Sequence, residues 1–209
     1  MRRVMPFLTL ATMLGLAHAS PSTRTEARTV GPFHAVELAG TFPVEVQVGP
    51  AQHVEVTADE SVIGGITTEV RDGQLIIGAR RELHHCKACR VRVTTPQLDA
   101  LELSGTGSMT ATGVAAPSFA IAVGGTGSME VSGTTNTVAY ALGGTGSIDA
   151  KSLAAKSATV DIGGTGAIAL RASHDVTVDV TGTGAVEVFG HPKVVRQSNT
   201  GPGRITMRD

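Results

Sequence analysis

The densest cluster of reactive side chains is His84-His85-Cys86-Lys87-Ala88-Cys89-Arg90, which holds both cysteines of the chain. In an extended strand the two Cα atoms would lie about 10 Å apart, beyond the reach of a disulfide. A Cys86–Cys89 bridge therefore requires a turn at Lys87-Ala88, such as a hairpin tip between strands at 75–77 and 91–93. Closing so small a loop contributes about 2 kcal/mol in the chain-entropy model. Two other chemistries use the same residues. His84, His85, Cys86 and Cys89 offer nitrogen and sulfur ligands for zinc or copper, although four ligands in this short segment are crowded and oxidation removes two of them. A redox dithiol is the other reading, since Lys87, Arg90 and Arg81 would lower a thiol pKa. The motif does not open a helix after a strand, as a thioredoxin-like pair does. Arg90 stands where a c-type haem motif has His. The disulfide is the expected state, and no cofactor is called for.

Carboxylates supply the second candidate chemistry. Aligned on the repeat described below, Asp161 and Asp179 fall on adjacent rungs, as do Glu130 and Asp149 one column over. Like charges about 5 Å apart repel unless a cation or solvent screens them. Such pairs are the only acid–base material for cleaving a polysaccharide, and no basic or aromatic groove is evident beside them. A solvated charged face is the expected outcome. His34, His53, His174 and His191 are dispersed, with no Ser or Cys partner at an interpretable spacing, so no nucleophile–base pair is assigned.

The elements that carry these residues are set by a repeat. Gly105-Thr106-Gly107-Ser108, Gly125-Thr126-Gly127-Ser128 and Gly144-Thr145-Gly146-Ser147 are followed by Gly164-Thr165-Gly166-Ala167 and Gly182-Thr183-Gly184-Ala185. Gly201-Pro202-Gly203-Arg204 reads as a decayed sixth copy. The period is about 19 residues, the range of solenoid repeats. Behind each corner, apolar residues alternate with polar ones: Met109/Ala111, Met129/Val131, Ile148/Ala150, Ile168/Leu170 and Val186/Val188. Before each corner a second strand places Leu101/Leu103, Ile121/Val123, Tyr140/Leu142, Val160/Ile162 and Val178/Val180 inward. A period of 2 means strands with one buried face. A unit this short cannot bury that face alone, whereas stacked copies about 4.8 Å apart can. The fold class is all-β, a right-handed parallel β-helix by crossover chirality. Antiparallel meanders would not repeat one residue type at one offset. The paired glycines are expected to turn the chain through positive φ, with stacked Thr hydroxyls bonding to one another or to corner carbonyls. A phosphate-binding loop is excluded, because neither the downstream Lys nor a helix follows.

Residues 29–97 are less regular. Val44-Glu45-Val46-Gln47-Val48, Val54-Glu55-Val56 and Val91-Arg92-Val93 alternate, with turn signals at Gly49-Pro50 and Asp72-Gly73. This part forms looser rungs or a cap, which an open sheet end requires. At the other end Pro192, Pro202 and the terminal charges are expected to blunt the edge. With 17 basic and 18 acidic residues and 3% aromatics, the chain lacks the footprint of a nucleic-acid binder. Arg2 and Arg3, the apolar residues 4–17 and Ala17-His18-Ala19 read as a signal peptide cleaved before Ser20. The apolar run is too short for a membrane span, and no Cys follows the cleavage site to carry a lipid. The expected organisation is residues 1–19 signal peptide, 20–28 flexible, and 29–209 one domain, irregular over 29–97 and regular over 98–209. The product would be periplasmic or extracellular.

The segment Thr29-Val30-Gly31-Pro32-Phe33-His34-Ala35-Val36-Glu37-Leu38-Ala39-Gly40 resembles the start of the putative auto-transporter adhesin, head GIN domain family. So do Asp72-Gly73-Gln74-Leu75-Ile76-Ile77 and Pro96-Gln97-Leu98-Asp99-Ala100-Leu101-Glu102-Leu103-Ser104-Gly105, and the rungs beyond them. The resemblance implies a right-handed β-helix in exported bacterial proteins. It supplies no catalytic residue and does not account for Cys86 and Cys89. The functional expectation is a non-enzymatic binding or adhesion module for an envelope or extracellular component. Metal or redox chemistry at residues 84–89, or a polysaccharide-active enzyme, is the alternative.

Overall fold

The computed structural model describes residues 22–80, 86 and 88–208. Its first half contains β1 (Thr23–Ala27), β2 (Ala35–Leu38), β3 (Val44–Val48), β4 (His53–Asp59), a 3-10 turn (Ile63–Gly65), β5 (Ile66–Arg71), β6 (Gln74–Ala79), β7 (Arg90–Thr95) and β8 (Ala100–Leu103). Each repeat then becomes one long bent strand: β9 (Ser108–Val123), β10 (Thr126–Leu142), β11 (Thr145–Ile162) and β12 (Thr165–Val180). The chain closes with β13 (Thr183–Phe189), β14 (Val194–Asn199) and β15 (Arg204–Met207). These strands wind into a parallel β-solenoid of about 5 turns.

The register is the one the corners predict. Gly127 lies beside Gly146, Met129 beside Ile148 and Tyr140 beside Val160, and the pattern continues into β12 and β13. The four expected apolar columns are buried, from Leu101, Leu103, Met109 and Ala111 to Val178, Val180, Val186 and Val188. Two further columns complete the interior, one of Phe119, Val138, Ala158 and Val176, the other with Val114 and Leu153 on either side of Gly133. The first of these keeps a constant place six residues before the next corner glycine, whereas register shifts separate it from the preceding corner. Only the distance from the preceding corner varies from copy to copy.

The first half is both rung and cap. The β2–β3 rung lies between β6–β7 on one side and β8–β9 on the other, all pairs parallel. The segment that follows β3 in sequence thus sits outside it. Antiparallel strands finish that end: β4 on β7, β1 on β4 and β5 on β6. The β5–β6 hairpin turns on Asp72 and Gly73, both at positive φ (50° and 77°), as a tight two-residue loop demands.

Three expectations need correction. Residues 20–28 are not a flexible lead-in throughout, because Thr23–Ala27 is strand β1, paired with Ala27↔Glu55 at one end and Thr23↔Asp59 at the other. The Cys86–Cys89 turn is not a hairpin tip: β6 pairs with β2 and β5, β7 pairs with β3 and β4, and the two belong to different walls of one rung. The corner glycines do not serve positive φ, since none of Gly105, Gly107, Gly125, Gly127, Gly144, Gly146, Gly164, Gly166, Gly182 and Gly184 has it.

What the corners need is close approach. A Cβ on Gly125, Gly144, Gly164 or Gly182 would fall nearer than 3.0 Å to the backbone of the corner one rung below. Each corner hydrogen-bonds directly to that neighbour, as in Thr145 N–H to Gly125 O (3.0 Å) and Thr165 N–H to Gly144 O (2.9 Å). The backbone ladder therefore runs unbroken around the turn, which leaves no buried amide without a partner there. The Thr side chains of this ladder, from Thr106 to Thr183, are exposed and do not bond to one another or to corner carbonyls.

At the far end the inward columns change character. Gln197 and Asn199 continue the lines of Val178 and Val180, and Asn199 Nδ2 donates to Gly203 O (2.7 Å). Val195 and Met207 in the same rung are 39% and 44% exposed. Polar residues thus stand in two of the core columns at this edge.

Candidate binding groove

Midway along each long strand the chain bends, and the bends of β9 to β12 stack into a groove parallel to the solenoid axis. Gly113 (φ 76°), Gly133 (φ 138°) and Gly190 (φ 96°) make the bends beside it. Here positive φ does require glycine. Each lies eight positions beyond its corner glycine, Gly105, Gly125 and Gly182. That second periodicity was readable but partial, because Ser152 and Ala172 occupy the same offset in the other two copies.

The groove has a volume of about 630 Å³, against about 360, 290 and 250 Å³ for three other depressions. Its floor is the buried column Ala116, Thr135 and Ala155. One wall carries Ala115, Thr134, Ala154 and Arg171, which are register neighbours on successive strands. The other carries Pro117, Asn136, Lys156 and Ser173. The N-terminal end of the groove is thus small and uncharged, and its C-terminal end is cationic. Arg171 Nε donates to Lys151 O (2.9 Å), which fixes the guanidinium. Among the described residues neither Arg171 nor Lys156 forms an ion pair, and no carboxylate lines the groove.

The acids and histidines singled out in the sequence lie outside it. Asp161 and Asp179 are register neighbours, exposed on another wall between Ala141 and Ser198. Glu130 and Asp149 also stack. Asp149 is bound by Lys151 Nζ at 2.9 Å, and this hydrogen bond holds the Lys151 ammonium above its usual pKa. Among the four histidines, His34 faces Asp99 (3.4 Å), His53 faces Glu55 (4.0 Å) and His174 faces Asp175 (2.9 Å). The hydrogen bond from His174 lowers the Asp175 pKa. His191 takes a left-handed backbone (φ 53°). The paired carboxylates thus lie side by side on exposed strands and do not face one another across a cleft.

Cys86 and Cys89 are joined by a disulfide with their Cα atoms 5.5 Å apart, and both pack against the core at the capped end. In this state neither sulfur can bind a metal as thiolate. His84 and His85, the other two candidate ligands, lie outside the described residues. Among the described residues no group of three or more His, Cys, Asp or Glu gathers as a metal site, and no helix is long and apolar enough to cross a membrane.

Comparison with known proteins agrees on architecture. The family model for the putative auto-transporter adhesin, head GIN domain matches residues 32–192. A putative adhesin of Bacteroides fragilis shares the fold with TM-score 0.72 at 19% identity, over 90% of this chain and 98% of its own. A putative lipid binding protein of Parabacteroides distasonis aligns at TM-score 0.55 and 17% identity, over 90% of this chain and 97% of its own. A putative adhesin of Parabacteroides merdae aligns at TM-score 0.51 and 16% identity, over 90% and 96%. No curated protein matches the chain.

Proposed function

Because the chain belongs to the putative auto-transporter adhesin, head GIN domain family, we propose that it is an exported, non-catalytic binding protein that holds an envelope or extracellular component against its solenoid wall. The observation that carries this reading is the groove. It crosses several rungs of a rigid scaffold, is lined by cations, hydroxyls and one amide, and has no carboxylate to act as acid or base. General acid–base work needs a titratable group within hydrogen-bond reach of the reacting atom, and the stacked Asp161 and Asp179 lie on a different wall. Export rests on the basic, apolar and small-x-small pattern of residues 1–19, and a bridged Cys86–Cys89 pair suits an oxidising compartment. The names of the structural relatives, adhesins for the most part, fit a binding role.

The test is capture. Purified protein beginning at Ser20 is passed over immobilised envelope fractions and glycans, and saturable retention is expected. Hydrolase or lyase turnover lost on changing Asp161→Asn or Asp179→Asn would overturn the non-catalytic reading. Failure to bind any fraction would overturn the binding one.

A further inference from the structure

Resting on that reading of the wall as a binding surface, we infer that the groove takes a carboxylate-bearing glycan chain laid along the solenoid axis, its acid groups held by Lys156 and Arg171. Four observations converge on this class of ligand. The groove's volume, about 630 Å³, lies within the usual range of ligand sites. It runs across β9 to β12, about 14 Å at the rung spacing, so it suits an elongated chain.

The charge is the second observation. Lys156 and Arg171 stand on adjacent strands and opposite walls, with no carboxylate among the lining residues to neutralise them. Arg171 is oriented from behind by its Nε bond to Lys151 O. That bond leaves the two terminal nitrogens free, and a guanidinium presents such an edge to a carboxylate in bidentate fashion. Lys156 adds a point charge across the floor.

Third, Thr134, Asn136 and Ser173 place hydroxyl and amide groups beside the floor, where sugar hydroxyls can exchange hydrogen bonds with them. The Ala116 and Ala155 floor lets a ring lie close to the backbone. Fourth, the lining disfavours other classes. It contains no Leu, Ile, Val or Phe to sheathe an acyl chain and no aromatic ring to stack a base. The wall strands are paired on both sides, so a peptide cannot add as a further strand there.

Titration calorimetry with oligogalacturonate tests the assignment, with neutral galactan and poly-glutamate as comparison ligands. Oligogalacturonate should bind and weaken with added salt, while the other two bind at least tenfold more weakly. Lys156→Ala and Arg171→Ala should each cost about tenfold in affinity, and Arg171→Lys should fall between Arg171→Ala and the unaltered protein. Arg71→Ala, on a remote strand, should change nothing. Unaltered binding by the Lys156→Ala, Arg171→Ala double variant, with an unaltered thermal melt, would overturn the inference. Equal binding of galactan or poly-glutamate would do the same. Should that double variant still be retained by an envelope fraction, this assignment fails and the binding reading survives. Should the unaltered protein bind no fraction and no glycan, both fail.

Discussion

Two neighbouring glycines give a sharp test of the solenoid's geometry. A Cβ on Gly143 would meet nothing within 4 Å, whereas one on Gly144 would be driven into the backbone of Gly124 and Gly125 on the rung below. Neither residue is at positive φ, so alanine meets no torsional strain at either site and only packing separates them. Relieving the clash at Gly144 requires pushing one rung about 1 Å from the next, stretching corner bonds such as Thr145 N–H to Gly125 O. Overpacking of this kind costs about 3 kcal/mol or somewhat more when rigid backbone must move. Gly143→Ala should be neutral, or gain about 0.4–1 kcal/mol by restricting the unfolded chain. The two variants should therefore differ by roughly 3–4 kcal/mol in urea unfolding. In thermal melts the gap should be about 6–16 °C, at roughly 2–4 °C per kcal/mol for a chain of this size. Equal stabilities for Gly143→Ala and Gly144→Ala would refute the account of the corners as backbone-on-backbone contacts.

Tyr140 is 2% exposed and its hydroxyl has no hydrogen-bond partner among the described residues. Tyr140→Phe keeps the packing and removes that unpaired group, so it should stabilise the protein by about 1–2 kcal/mol, read as a higher urea midpoint. Burial also raises the Tyr140 pKa well above the usual 10.0. Its folded-state stability is therefore intact below about pH 10 and is lost as pH rises beyond it, where only the unfolded phenol ionises. As this is the only tyrosine and the chain has no Trp, tyrosinate absorbance should appear together with alkaline unfolding, and Tyr140→Phe should resist that unfolding further. Replacing both Cys86 and Cys89 with Ser should cost about 2 kcal/mol of stability. The unaltered protein should show by mass spectrometry the loss of two protons that a disulfide entails.

The regular half was legible because stacking imposes its demands at fixed offsets. A column such as Met129, Ile148, Ile168 and Val186 must be apolar in every copy, and period-2 alternation exposes it. The stacking of Asp161 on Asp179 followed from the same alignment. The groove is harder to read, since register shifts fall at its bends and glycine marks only some of the copies. Gly113 and Gly133 mark the offset of eight, but Ser152 and Ala172 stand at it in the next two copies. Lys156 and Arg171 stand far apart in sequence and acquire meaning only when the register shift between Ala150 and Ala154 brings their strands into line. The role of the corner glycines is hidden in the sequence for a related reason. Sequence shows that glycine is required, and only the stacked backbones show that crowding, not torsion, requires it.

The position of the β2–β3 rung between two later segments has a consequence for how the chain assembles. Every rung from β9 onward can be laid on the one before it in order of sequence, like courses of brick. The first cannot, because one of its two neighbours is delivered by residues 74–95, which must fold back beneath it before β8 carries the chain upward. The starting block, residues 23–95, is therefore a non-local unit with loop closures that growth of the remaining wall does not share. Folding should begin slowly at the closed end and then run quickly toward Asn199. Changes in the number of Gly-Thr-Gly courses would alter the height of the wall without disturbing its foundation.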